Sequence, residues 1–137
     1  MQLKEKINKD INYLQLDNLF REIGWSPRGK DKWAEVLSKS FLVFSLWEGD
    51  KLVGFGRIIE DGVMCMFYDI GVLPPYQSKG LGTRIMNFLI SHIKEKGYAS
   101  IGLFAWEENP NNISFYKKFG FVRVGSGMEL EKYMERE

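Results

Sequence analysis

The densest chemistry lies between Asp69 and Met86, which read Asp-Ile-Gly-Val-Leu-Pro-Pro-Tyr-Gln-Ser-Lys-Gly-Leu-Gly-Thr-Arg-Ile-Met. A strand-like run ends at Pro74-Pro75, a loop carries Gln77, Ser78, Lys79, Gly80 and Gly82, and an amphipathic helix opens at once. The first amides of such a helix lack intrahelical partners and point forward, with the positive end of the dipole behind them. Gly80 and Gly82 take away side chains that would hold an anion off those amides, while Lys79 and Arg84 add full charges. The chemistry that follows is the binding of a pyrophosphate. Two other nucleotide motifs do not fit. No Lys-Ser/Thr follows the second glycine, as a P-loop requires, and Gly80-Leu-Gly82 is followed three residues later by Ile85, not glycine. Glycines here also suit a close helix–strand contact, so the loop alone leaves both readings open.

A second segment, Asn109-Pro-Asn-Asn-Ile-Ser-Phe-Tyr-Lys-Lys-Phe-Gly-Phe121, narrows the choice. Together the two resemble the signature of the GNAT superfamily of N-acetyltransferases. The first matches its Gln/Arg-x-x-Gly-x-Gly pattern through Gln77, Gly80 and Gly82. The second matches Asn-x-x-Ala-x-x-Phe-Tyr-x-x-x-Gly-Phe through Asn109, Phe115, Tyr116, Gly120 and Phe121, with Asn112 where alanine is usual. Val63 to Val124 follow the pattern closely and the N-terminal third only in layout.

The resemblance implies acetyl-CoA as co-substrate, its pyrophosphate on the amides of Ser78, Lys79, Gly80, Leu81, Gly82 and Thr83, beside Gln77. Its pantetheine arm would lie along the third meander strand as a pseudo-strand, bonded to backbone groups of Ile70, Gly71 and Val72. Asn109 would hold the pantetheine or the neighbouring loop, and Tyr116 would stand near the thioester sulfur. No metal is implied, and the single His92 excludes a histidine-based metal site.

Chemistry gives these roles a reason. An amine of pKa 10.4 is free base in only about one molecule in 2,500 at pH 7, so deprotonation costs about 4.6 kcal/mol without help. A departing thiolate of pKa near 8.5 benefits from a proton donor such as Tyr116. The amide of Gly71 or Val72 is suited to polarise the thioester carbonyl, and holding the two reactants together supplies further rate.

The base is open. Relatives that acetylate protein N-termini often carry a glutamate five residues before the motif asparagine, and Phe104 stands there. Asp69, which enters a core strand, is a candidate base and equally a structural hydrogen-bonded aspartate. Glu107 and Glu108 at a strand exit and a water chain are the other choices. The acceptor site is expected among Trp25, Arg28, Lys30, Trp33, Arg57, Tyr68 and Trp106, with Trp33 favoured as core and the basic loop Arg28, Lys30, Lys32 favoured as solvated.

These residues need a scaffold. Leu16, Leu19, Phe20 and Ile23 form one helical stripe ended by Gly24, and Asp31 is placed to cap a second helix with Trp33, Val36 and Leu37 on its stripe. Phe41 to Glu48, Lys51 to Glu60 and Val63 to Leu73 are β-rich runs joined by Gly49-Asp50 and Asp61-Gly62, an antiparallel meander. A long helix follows from Leu81, then a strand over Ser100 to Trp106, a short helix from about Asn111 to Phe119, and closing strands over Phe121 to Val124 and Met128 to Glu131. The fold class is α/β (α+β): a mixed sheet with a helical crossover between parallel strands. The resemblance adds helices on both faces and a splay between the fourth and fifth strands.

The 137 residues suit one domain, 1–137. Charged residues at 27%, with 19 Lys+Arg against 18 Asp+Glu, give no general pull towards nucleic acid or anionic membrane. No signal-like or membrane-spanning run is present, so a cytoplasmic protein is expected. Cys65, alone and within a strand, offers no disulfide and no clear nucleophile. The expectation is an acetyl-CoA-dependent N-acetyltransferase in which a primary amine of a small molecule or peptide attacks the thioester directly. The alternative is a CoA-binding sensor or partner module of the same fold. A homodimer is the assembly that the resemblance suggests.

Overall fold

The computed structural model describes residues 2–106 and 109–133. A short strand β1 (Lys4–Lys6) leads into helices α1 (Tyr13–Ile23) and α2 (Lys30–Lys39). The meander follows as β2 (Leu42–Glu48), β3 (Lys51–Glu60) and β4 (Met64–Val72), then helix α3 (Leu81–Ile93), strand β5 (Ser100–Leu103) and helix α4 (Pro110–Lys117). The sheet order is β1-β2-β3-β4-β5, antiparallel from β1 to β4 and parallel between β4 and β5. This is the mixed sheet with a helical crossover that the pattern predicts.

Both hairpin turns fall where glycine sits beside aspartate. Gly49 and Gly62 take left-handed φ of 59° and 92°, and the Asp61 carboxylate accepts from the amides of Val63 and Met64, both at 2.9 Å. Asn12 caps α1 by accepting from Leu14 N at 2.8 Å, and Gly24 closes it at φ 98° with its amide and that of Trp25 both on Phe20 O. Helix α2 starts two residues earlier than the Asp31 cap implied: Gly29 occupies the cap, at φ 82°, and its carbonyl accepts from Trp33 N.

Alternation along β3 separates the two faces of the sheet. Phe55 points towards α1 and α2, with its ring 5.9 Å from that of Trp33. Gly54 and Gly56 point the other way, and a Cβ on Gly56 would lie 2.8 Å from Ile85 of α3. Missing side chains thus let α3 seat directly on the strand. Leu16, Leu46, Phe55, Ile58, Ile85 and Leu89 are fully enclosed in the core between these layers, each contributing roughly 1.5–3 kcal/mol by burial.

Two further features depart from the sequence pattern. β1 is an additional edge strand, Lys-Glu-Lys, pairing Lys4 with Trp47 and Lys6 with Ser45. The closing strands expected over 121–124 and 128–131 are not formed among the described residues: 121–130 have no regular structure, and 131–133 make a turn of 3-10 helix. Gly125 and Gly127 break that stretch, and Val124 and Met128 face solvent rather than a sheet. No helix among the described residues is long and apolar enough to cross a membrane.

Candidate functional site

The parallel pairing of β4 with β5 runs from Met64–Ser100 to Phe67–Leu103 and stops there. Tyr68 to Val72 therefore have β3 on one side and, among the described residues, no strand on the other, which is the expected splay. The opening is accompanied by a bulge. Arg57 pairs with Tyr68 and Phe55 with Gly71, so Asp69 and Ile70 together face the single residue Gly56. Asp69 takes φ 58° there, a conformation that aspartate tolerates better than most residues.

The ladder fixes which backbone groups face the opening. Leu73 N donates to Val53 O at 2.9 Å, and antiparallel pairs alternate between bonded and non-bonded. Gly71 opposite Phe55 is then a bonded pair, whereas Val72 opposite Gly54 turns its N–H and C=O outward. Of the two amides considered for polarising a carbonyl, only that of Val72 faces the open edge. The Gln77 side chain donates to the Val72 carbonyl at 2.9 Å, tying the following loop to the strand end. Gly71 has a different duty: a Cβ there would lie 2.7 Å from Ile23 and 3.1 Å from Trp25, so α1 and Trp25 press directly on β4.

Beyond Gln77 the loop turns through left-handed φ at Ser78 (64°) and Gly80 (83°) before α3 begins. Strain at a non-glycine residue of this kind costs of order 1 kcal/mol and is typical of ligand clamps. Arg84 N donates to Gly80 O, the first bond of the helix, leaving Leu81, Gly82 and Thr83 as the forward-facing amides. Ser78, Lys79, Gly80 and Thr83 are exposed, while Leu81 is buried and anchors the turn. Open space surrounds Gly80, but a Cβ on Gly82 would stand 3.1 Å from Phe115 of α4. Gly82 is thus a helix–helix contact, and anion clearance rests on Gly80. Arg84 is also engaged elsewhere, 2.8 Å from Glu5 of β1, whereas Lys79 forms no ion pair among the described residues. These amides, the left-handed Gly80 and the unpaired edge of β4 together fit an extended ligand with a diphosphate at one end.

The second half of the site is a cleft of about 1360 Å³ whose walls include Arg28, Tyr68, Phe104, Trp106, Tyr116 and Phe121. Tyr116, half-buried on α4, packs edge-on against Phe115 and Phe121. Burial pushes its pKa up to about 12. Asn109 caps α4 by position but makes no side-chain cap bond, so its exposed amide group stays available. Trp106 and Phe104 are exposed at the cleft, and Trp33 is core as expected. Glu107 and Glu108 lie outside the described residues. His92 is exposed and stacks on Phe88, away from the cleft walls. Cys65 is buried, and burial, with Glu60 nearby, raises its pKa to about 11.

Asp69 is where the surroundings speak against an expected role. Its carboxylate accepts from Arg28 Nη1 and Nη2 at 2.8 and 3.0 Å and from Arg57 Nε at 2.6 Å. Burial pushes its pKa up, but the bonds and charges of Arg28 and Arg57 outweigh that and hold it below its ordinary value. A carboxylate engaged in this way is a poor proton acceptor for an amine. Arg28, expected to be solvated, is instead in this ion pair, and Lys32 pairs with Glu35.

Sequence patterning also missed Asp17. It lies on the inner face of α1, 3% exposed, and accepts from Arg28 N, Gly29 N and Trp33 Nε1. A lone acidic residue between Leu16 and Leu19 was the available signal.

The chain matches the acetyltransferase (GNAT) family over residues 11–121. It is 34% identical over 127 residues to the "uncharacterized N-acetyltransferase ycf52" of Pyropia yezoensis, covering 89% of this chain and 71% of the relative. It is 31% identical over 140 residues to "GCN5-related N-acetyltransferase 1, chloroplastic" of Arabidopsis thaliana, covering 98% of this chain and 68% of the relative. Among solved structures, a probable acetyltransferase of meticillin-resistant Staphylococcus aureus superposes with a TM-score of 0.82 at 27% identity, covering 94% of this chain and 98% of that one. With the matched segment spanning most of the chain and the site motifs in place, the protein belongs to the acetyltransferase (GNAT) family.

Proposed function

We propose that this protein transfers an acetyl group from acetyl-CoA to a primary amine of a small molecule or peptide by direct attack. The observation that carries the reading is the outward-facing, unpaired edge of β4 beside the amide-rich start of α3. Acetyl-CoA supplies the activated acyl group as a thioester. Leu81, Gly82 and Thr83 offer amides to its diphosphate, Gly80 keeps the approach open, and Lys79 adds charge. Ile70 and Val72 provide backbone groups along the open edge, and Asn109 an exposed amide group at the start of α4.

The Val72 N–H is oriented to donate to a carbonyl oxygen at that edge, where a fixed dipole is most effective. Tyr116 remains protonated at neutral pH. Full proton transfer from a group of pKa about 12 to a thiolate of pKa about 8.5 would cost roughly 5 kcal/mol. Tyr116 therefore acts as a hydrogen-bond donor whose bond strengthens as charge grows on the leaving sulfur. Cys65, buried and with a raised pKa, is no nucleophile, which favours the direct route.

A second reading, a CoA-binding sensor with little catalysis, is favoured by one observation: Asp69 is locked by two guanidiniums and is not free to take a proton. Release of CoA thiol from acetyl-CoA, measured across small-molecule and peptide amines, separates the two. Turnover with one amine class supports the transferase; tight CoA binding with no turnover on any amine supports the sensor.

A further inference from the structure

Asp69 is costly to hold where it is. It sits at a bulge with left-handed φ, its carboxylate is largely enclosed, and it gathers two arginines from different elements. Arg57 comes from β3 and also donates to Ser40 Oγ at 3.3 Å, while Ser40 Oγ donates to Val36 O at 2.7 Å. That chain ties the bulge to the end of α2. Arg28 comes from the connection between α1 and α2. Its guanidinium lies over the rings of Phe20 and Trp33, 4.9 and 4.6 Å from their centroids, and its edge forms two parallel bonds to Asp69.

The connection is gripped from both sides. Asp17 of α1 takes the backbone amides of Arg28 and Gly29, and Asp69 of β4 takes the Arg28 side chain. The same connection carries Trp25, which rests on the backbone of Gly71 beside the outward-facing Val72. Arg28 itself lines the cleft that holds Tyr116. One carboxylate thus couples the open-edged strand β4 to the connection whose Arg28 lines the cleft.

We propose that Asp69 is a positioning residue, which locks the Trp25 to Gly29 connection, and with it the Arg28 side of the cleft, onto the bulged strand so that the acceptor amine meets a pre-formed surface. This rests on the acetyltransferase reading. Bidentate pairing with a planar guanidinium fixes orientation as well as distance, which a lysine in place of Arg28 would not do. A wall ordered in advance spares the acceptor the cost of ordering it on binding.

The test uses Asp69→Asn, which keeps shape and removes charge, and Arg28→Lys, which keeps charge and removes the fork. Backbone hydrogen exchange of residues 25–29, calorimetric binding of CoA, and steady-state kinetics with the best amine found for the wild-type chain are read together. In both variants, exchange of those amides rises about tenfold or more. The KM for the amine rises about tenfold, while kcat and CoA affinity stay within about threefold. The acidic limb of the kcat/KM profile keeps its position. A fall in kcat of about a hundredfold with loss of the acidic limb in Asp69→Asn would make Asp69 the base and overturn the proposal. Unchanged loop exchange in both variants would overturn it too. If the wild-type chain turns over no amine, the transferase reading fails, and loop exchange alone still decides whether Asp69 holds the wall.

Discussion

Phe115 of α4 occupies the space that a side chain on Gly82 of α3 would need, with its Cζ 3.1 Å from where a Cβ would stand. The two motif glycines therefore do different work. Gly82 admits Phe115, and Gly80 provides the left-handed turn and the open approach to the helix start.

Gly82→Ala and Gly80→Ala should both destabilise the protein, for reasons that a double-mutant cycle separates. Overpacking against Phe115 costs roughly 1–3 kcal/mol, offset in part by up to about 1 kcal/mol from better helix propensity. Left-handed strain at position 80 costs of order 1–2 kcal/mol. Denaturant melts of each variant with and without Phe115→Leu should give a coupling above about 0.5 kcal/mol for position 82 and none for position 80. Equal coupling at both positions would contradict the assignment.

Lys79 and Arg84 look equivalent in the sequence but not in the structure. Arg84 is already paired with Glu5, whereas Lys79 stands at the loop, its ammonium 6.0 Å from the centre of the Tyr76 ring. Calorimetry should find CoA binding weakened about three- to tenfold by Lys79→Ala and less than about twofold by Arg84→Ala. The Lys79 contribution should shrink between low and physiological salt.

Much of this arrangement could be read from the residues. The meander, the crossover helix and the short α4 follow from β-rich runs between Gly-Asp turns and from helical stripes ended by glycine. β1 could not, because Lys-Glu-Lys has no strand propensity and pairs only as an edge. The closing strands do not form: Phe121 to Val124 alternate suitably, but Gly125 and Gly127 interrupt the run and no partner strand receives it among the described residues. Within the site, the glycine-rich loop before α3 and Tyr116 were legible as motifs. The engagement of Asp69 with Arg28, 41 residues away, is a tertiary contact that no local pattern encodes.

Tyr116 makes an alkaline prediction. Its pKa is near 10 unfolded and about 12 folded, so the folded state keeps the proton longer. The stability it contributes is fully present below about pH 10 and is lost as pH rises towards 12, by about 2–3 kcal/mol. Tyr98, also raised to about 12 by burial and Glu60, titrates in the same window. The difference between wild type and Tyr116→Phe isolates Tyr116. That difference should change across pH 10–12 and stay flat below it in urea melts.

Asp69 makes the acidic counterpart. Its folded pKa is depressed, so its stabilisation is present above the unfolded value of 3.8 and is lost as pH falls through the lower folded one. At pH 7 Asp69→Asn should lose about 3 kcal/mol, because Arg57 and Arg28 are left largely enclosed without a counter-charge. The gap between variant and wild type should begin to shrink as pH falls below 3.8 and close only once it passes below the depressed folded pKa. A gap independent of pH would show that the carboxylate charge is not what holds the network.

The central claim is tested most directly by acetyl transfer in wild type and Tyr116→Phe side by side, with acetylated product identified by mass and CoA binding measured by calorimetry. The account predicts turnover with an amine class in the wild type, and a kcat lowered by about 10²–10³ in the variant at unchanged CoA affinity. Equal kcat in the two proteins would contradict the role of Tyr116, and absence of CoA binding in the wild type would contradict the account as a whole.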